Sequence, residues 1–242
     1  MSTFHELHVP GEPLVLFNVW DAGSAQAVVE AGAKAVATGS ASVARAHGFD
    51  DGQDLPLALA LANAKRIVRA VDCPVSIDFE GGYADSVAEL DDTIRALAET
   101  GAAGLNFEDG YPGTGTVRSV EDQVDRLRAV RAAGPKLFVN ARTDVFLNAH
   151  PETHGDHMED AQSRLSAYVE AGADGLFVPG LRDLDLIARI CETFNRPVNV
   201  MWLPDMASNA DLAGVGVARI SHGPFPHMAA MAALTEAARA AL

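Results

Sequence analysis

One short phrase recurs along this chain: Glu30-Ala31-Gly32-Ala33, Glu99-Thr100-Gly101-Ala102, Glu170-Ala171-Gly172-Ala173 and, more loosely, Leu212-Ala213-Gly214-Val215. Each copy follows an amphipathic stretch and precedes a short apolar run. Glycine just past a helix adopts the left-handed backbone that other residues reach only at a cost, so each copy reads as a helix ending and a strand beginning. The unequal spacing of the copies marks repeated βα units in one sheet rather than a solenoid.

Between these marks the alternation continues from end to end. Apolar runs at residues 14–19, 34–38, 74–79, 103–107, 136–141, 174–178, 197–201 and 217–221 read as eight strands. Helices are expected at 22–31, 56–71, 87–100, 120–133, 158–170, 184–194 and 228–241, with Asp183 placed to cap the sixth. The runs are short and apolar on both faces, as in strands buried between helices and a barrel interior. Eight βα units in 242 residues predict a single-domain (β/α)8 barrel, a TIM barrel spanning residues 1–242. A doubly wound open sheet is the rival, weakened because no Gly-x-Gly-x-x-Gly follows the first strand. Two polar excursions, 48–56 and 145–158, interrupt the pattern of short loops and are lid candidates.

Composition narrows the function. A formal charge of −15 excludes a surface built for nucleic acid or anionic membrane. No apolar run is long enough to span a bilayer, and the first thirteen residues lack the basic and apolar regions of a signal peptide. Cys73 and Cys191 stand far apart, without zinc or disulfide spacing, and read as core thiols of a cytoplasmic protein.

In a barrel the C-terminal strand ends converge on one mouth, where catalysis occurs. Side chains alternate along a strand, so Asp78 and Glu80 point together at the end of the third. The glycines that follow, Gly81 and Gly82, allow close backbone approach. The fourth strand offers Asn106 and Glu108, the fifth Asn140 and Arg142, the seventh Asn199 and Met201. Thr38-Gly39-Ser40 ends the second strand with small residues whose N–H groups could face an anion. Three carboxylates without a Cys or His ligand pattern suit an oxygen-loving cation, Mg²⁺ or Mn²⁺. Arg142 either pairs with a substrate carboxylate or braces neighbouring acids, and the asparagines either reach substrate or satisfy backbone groups. Asp109 has the wrong parity for the mouth and is expected to brace its loop. His150, His154 and His157 read as solvated loop histidines, Trp20 and Trp202 as core or rim residues. His222 stands between a substrate contact and a packing role.

These segments together resemble the isocitrate lyase and phosphoenolpyruvate mutase superfamily over nearly the whole chain. The resemblance is carried by Asn18-Val19-Trp20-Asp21, Thr38-Gly39-Ser40, Asp78-Phe79-Glu80-Gly81-Gly82-Tyr83, Phe107-Glu108-Asp109, Asn140-Ala141-Arg142-Thr143-Asp144 and residues 170–179. It implies a Mg²⁺-binding barrel acting on a C–C or P–C bond of a small 2-oxo acid. Asp78, Glu80, Glu108 and Asp51, the better match ahead of Asp50, would hold the metal directly or through water. Thr38, Gly39, Ser40, Asp78, Asn199 and Arg142 would contact substrate, with Gly39 and Ser40 offering N–H groups to its carboxylate. The family also implies a dimer or tetramer that exchanges its last helix, here residues 226–242. Two departures bear on the reaction. The lyases' Lys-Lys-Cys-Gly-His loop is replaced by residues 110–118, which hold neither cysteine nor histidine, and Glu80 stands where aspartate is usual. The resulting expectation is C–C cleavage through an enolate, most simply oxaloacetate decarboxylation, with Arg142 and His222 as catalytic residues. A 2-methylisocitrate lyase or phosphonomutase using another acid, and a dicarboxylate-binding barrel without turnover, are the alternatives.

Overall fold

A computed structural model describes residues 3–242; Met1 and Ser2 lie outside the described residues. Strands and helices alternate in the order β1 (Leu14–Leu16), α1 (Ala22–Glu30), β2 (Val36–Ala37), α2 (Ser40–His47), α3 (Leu57–Ala70), β3 (Val75–Asp78) and α4 (Val87–Glu99). Then follow β4 (Gly104–Glu108), α5 (Val120–Ala133), β5 (Phe138–Arg142), α6 (Met158–Glu170), β6 (Gly175–Phe177) and α7 (Leu184–Thr193). The chain ends with β7 (Val198–Met201), α8 (Asn209–Gly214), β8 (Arg219–Ser221) and α9 (Phe225–Ala241). All ladders are parallel, in the order β1-β8-β7-β6-β5-β4-β3-β2. A parallel bridge between Val19 and Thr38 joins the two ends, where Val19 N–H donates to Ala37 O at 2.8 Å. The expected (β/α)8 barrel is therefore the observed fold.

The recurrent phrase does what its chemistry demands. Gly32, Gly101 and Gly172 lie at φ +99°, +88° and +107°, just past the ends of α1, α4 and α6. In the fourth copy the left-handed residue is Gly216, at φ +90°, whereas Gly214 is still helical. Asp183 caps α7 as expected, its side chain accepting from Leu186 N–H. Two short helices, α2 and α8, were not predicted, because at 8 and 6 residues each makes about two turns or fewer and presents no long apolar stripe.

Between sheet and helices lies one continuous core, including Leu90, Ile94, Leu105, Phe107, Leu127, Leu165 and Tyr168. Inside the barrel, Phe4, Leu14, Leu16, Ala35, Ala37 and Phe138 form the floor. His8 stacks on Phe138 with ring centroids 4.2 Å apart, and burial pushes its pKa down to about 3. His154, expected in solvent, is buried instead, one ring nitrogen 2.9 Å from Phe146 O. A 3-10 segment over Pro151–His157 folds that loop back on itself, which the glycine and proline of the stretch had concealed. Beyond His227, α9 is exposed through its last turns, including Met228, Met231 and Leu234.

Candidate active site

Strand register sets the mouth. Asp78 lies opposite Asn106 and Asn106 opposite Asn140, while Glu108 lies opposite Arg142. Their side chains share the inward face because each strand alternates in step with its neighbour. Asp78 is held on three sides. Its N–H donates to Thr38 Oγ1 at 2.8 Å, its Oδ2 accepts from Ser40 N–H at 3.0 Å, and its Oδ1 from Asn106 Nδ2 at 3.3 Å. Ser40 opens α2, so an unpaired helix N–H meets a carboxylate at the positive end of the helix dipole. Asn106 Oδ1 accepts from Asn140 Nδ2 at 2.9 Å and from Arg219 Nη2 at 3.1 Å. A guanidinium only donates, so its contact fixes which end of the Asn106 amide faces Asp78. Arg219 is wholly enclosed in the barrel; burial pulls its pKa down to about 9 although Asp78 acts in the other direction.

Three further carboxylates crowd toward Asp78. Glu80 is buried, and desolvation, with the charges of Asp78 and Asp51, pushes its pKa up to about 8. Tyr83 OH donates to Glu80 Oε1 at 3.3 Å. Burial raises the Glu108 pKa well above the carboxylate range; Arg142 opposes the rise, and Asp144, Asp78 and Glu80 add to it. Asp51 keeps an exposed edge on the rim, yet desolvation and Asp78 raise its pKa, against the Ser40 hydroxyl and Arg142.

Arg142 sits among acids rather than free. Its Nη1 lies 2.7 Å from Glu108 Oε2, and Asp144 takes its Nε and Nη2 at 2.5 and 3.0 Å. The Glu108 contact is a charge pair without directed hydrogen-bond geometry, since Oε2 is buried and accepts no hydrogen bond. Burial works to lower the Arg142 pKa, but Glu108, Asp144 and Asp78 more than offset it and hold the guanidinium charged. Two of its five N–H groups are hydrogen-bonded, both to Asp144. Asp109 braces this arrangement from behind, as its parity indicated. It is fully buried and accepts from Thr143 Oγ1 at 2.7 Å, Asp144 N–H at 2.9 Å and Tyr168 OH at 2.8 Å.

A cavity of about 280 Å³ opens over this cluster, lined by Ser40, Asp51, Glu80, Glu108, Arg142 and Asp144, and roofed by residues 110–116. Asp78 lies at its edge through its contact with Ser40. Other expected residues stand differently. Gly39 N–H is directed at Val19 O, 3.3 Å away, and Ser40 N–H at Asp78, so neither backbone donor is free for a substrate carboxylate. The Thr38 hydroxyl serves the Asp78 backbone. Asn199 lies buried within the barrel with Nδ2 unpartnered, away from the residues that line the cavity. His222 is not brought to the cluster. Its ring lies on Trp202, centroids 5.5 Å apart, and near Phe17, while burial lowers its pKa and leaves it neutral. Trp20 packs edge-on against His227, a rim role like that of Trp202. Sequence reasoning passed over Asp144, although two residues beyond Arg142 it repeats the phase of that side chain.

Among the described residues no three Asp, Glu, His or Cys side chains converge closely enough to hold an ion. The donor set nevertheless fits one. Burial raises the pKa of Asp51, Glu80 and Glu108, the charge of Asp78 adds to each rise, and Glu108 Oε2 is buried without a hydrogen bond. A hard divalent cation relieves both, by ligation to oxygen alone.

The fold is that of a barrel enzyme, and a cavity lined by carboxylates and an arginine opens at its C-terminal mouth. The chain belongs to the phosphoenolpyruvate phosphomutase family, whose model matches residues 4–242 and whose members include carbon–carbon lyases and mutases. A crystal structure of a candidate phosphonomutase from Burkholderia cenocepacia J2315 is 46% identical, with TM-score 0.95, covering 99% of this chain and 97% of that one. An uncharacterised protein of Mycobacterium tuberculosis is 36% identical over 98% of this chain and 88% of its own length. Oxaloacetate decarboxylase of Pseudomonas syringae pv. tomato is 28% identical over 92% of this chain and 78% of its own.

Proposed function

We propose that this enzyme, with Mg²⁺ or Mn²⁺, cleaves a C–C bond of a small 2-oxo dicarboxylate, and that oxaloacetate decarboxylation is its simplest reaction. The observation that carries this reading is the lining of the cavity: clustered carboxylates and Arg142, with neither cysteine nor histidine among its walls. Asp51, Asp78, Glu80 and Glu108 would hold the cation. When bound, it supplies Lewis-acid stabilisation of the oxygen that becomes negative. The Arg142 N–H groups not bonded to Asp144 orient a substrate carboxylate. The bond between C3 and the departing carboxylate breaks, its electron pair enters the 2-oxo group as an enolate, and CO₂ leaves. A proton then adds at C3. His222 is a poor source, stacked away from the cavity, so solvent supplies it. Bond breaking needs an electron sink but no acid, which is why a site without the lyase cysteine supports it.

The relative named as a candidate phosphonomutase favours a second reading, P–C chemistry at the same cavity. The experiment compares pyruvate release from oxaloacetate with Mg²⁺ and with EDTA. A metal-dependent excess over the spontaneous rate is expected; its absence, with turnover of a phosphono-2-oxo acid, establishes the second reading instead. We also infer a homo-oligomer, because α9 is exposed along its last turns and Val15 on β1 and Phe17 just past it are left uncovered.

A further inference from the structure

Three non-glycine residues with positive φ meet beside the acidic cluster: Gln53 at +65°, Glu80 at +50° and Tyr83 at +53°. Such conformations persist only where surrounding contacts impose them, and here the contacts are specific. Gln53 Oε1 accepts from Tyr83 N–H at 2.6 Å, and the Gln53 backbone acts to lower the Glu80 pKa, against burial. The Gln53 amide also lies across Gly81, where a Cβ would stand 3.4 Å from Nε2. Asp51 lies two residues before Gln53, on the 48–56 loop. Among the described residues, the hydrogen bond from that loop to the Glu80–Tyr83 turn is the one Gln53 makes. Asp50 N–H bonds back to Asp54 within the loop. The proposed cation shell is thus divided between the ends of β3 and β4, with Asp78, Glu80 and Glu108, and a separate loop carrying Asp51. One side chain fastens the two.

We infer that Gln53 is a positioning residue, latching the Asp51 loop to the strained Glu80 turn so that both carboxylates face one cation. The inference rests on the divalent-cation reading above. Gln53 is not among the residues that line the cavity. Its backbone takes the left-handed form, and its side-chain amide oxygen reaches the Tyr83 N–H. Glycine would supply the backbone without the amide, and the side chain of asparagine is one carbon shorter.

The test is a Mn²⁺ titration, read by the paramagnetic resonance of the free ion, on wild type, Gln53→Gly, Asp51→Asn and the double variant. Gln53→Gly keeps the left-handed backbone unstrained and removes the amide, so loss of folding does not obscure the result. Each single variant is expected to weaken Mn²⁺ binding about tenfold, and the double variant no more than about threefold further, because an unlatched Asp51 no longer contributes. In metal-free Gln53→Gly the Tyr83 amide should also exchange its hydrogen faster than in wild type. Losses that multiply to about a hundredfold in the double variant, or wild-type affinity in Gln53→Gly, overturn the latch. A wild-type protein that binds no Mn²⁺ refutes the cation reading itself, a distinct outcome.

Discussion

Glu80→Gln offers the sharpest test of the crowded carboxylates. In the metal-free protein the Glu80 pKa rises from 4.5 to about 8, first through burial and then through Asp78 and Asp51. Because the folded value lies above the unfolded one, the folded state binds the extra proton. The stability this confers is complete below pH 4.5 and is lost as pH climbs through 8. At about 1.4 kcal/mol per pH unit, the interval amounts to up to about 5 kcal/mol. For a chain of this size that corresponds to roughly 10–20 °C in melting temperature. With EDTA present, wild type should therefore melt progressively lower from pH 5 to pH 8.5, while Glu80→Gln should decline far less. At pH 8.5 the variant should be the more stable of the two, and Mg²⁺ should raise the wild-type melting temperature but barely move the variant's. Melting curves of wild type and variant that run parallel across this range would refute the claim that Glu80 is ionised at a cost.

Other consequences follow from single contacts. Asp144→Ala strips two partners from a buried guanidinium and should cost about 3–5 kcal/mol in chemical denaturation, far more than an exposed pair would. Gly82→Ala should destabilise by about 2 kcal/mol or more. Its φ is +88°, and a Cβ would stand 2.6 Å from Leu90 Cδ2 and 2.9 Å from Phe107 Cε2, so reduced protein yield and a lower denaturation midpoint are the readouts. Glu108→Gln should keep the fold while weakening Mg²⁺ binding by at least about tenfold in calorimetry, since it removes the charge that faces Arg142. Leu234→Glu, on the exposed face of α9, should shift light-scattering mass toward the monomer; a wild type already monomeric at micromolar concentration contradicts the proposed assembly.

Much of this protein was written in local pattern. The alternation of apolar runs with capped amphipathic stretches specified eight βα units, and closing them into a barrel is the arrangement that buries both faces of every strand. The two-residue period of a strand likewise set Asp78, Asn106, Glu108, Asn140 and Arg142 on one inward face, because side-chain direction there depends only on the backbone. Parity also told Asp109 apart from Glu108, and the buried brace at Asp109 follows from it. What lay beyond the strands had no period to read. Only the tertiary structure decided that Arg142 gives two N–H groups to Asp144 and faces Glu108, that the Ser40 N–H serves Asp78, and that His222 turns to Trp202. The burial of His154 and the meeting of Gln53 with Tyr83 belong to the same group. Most of these contacts involve a loop, and loop paths are set by the surfaces they cross rather than by their own residues. The sequence determined which side chains face the mouth of the barrel; the packing of its loops decided which of them are already engaged.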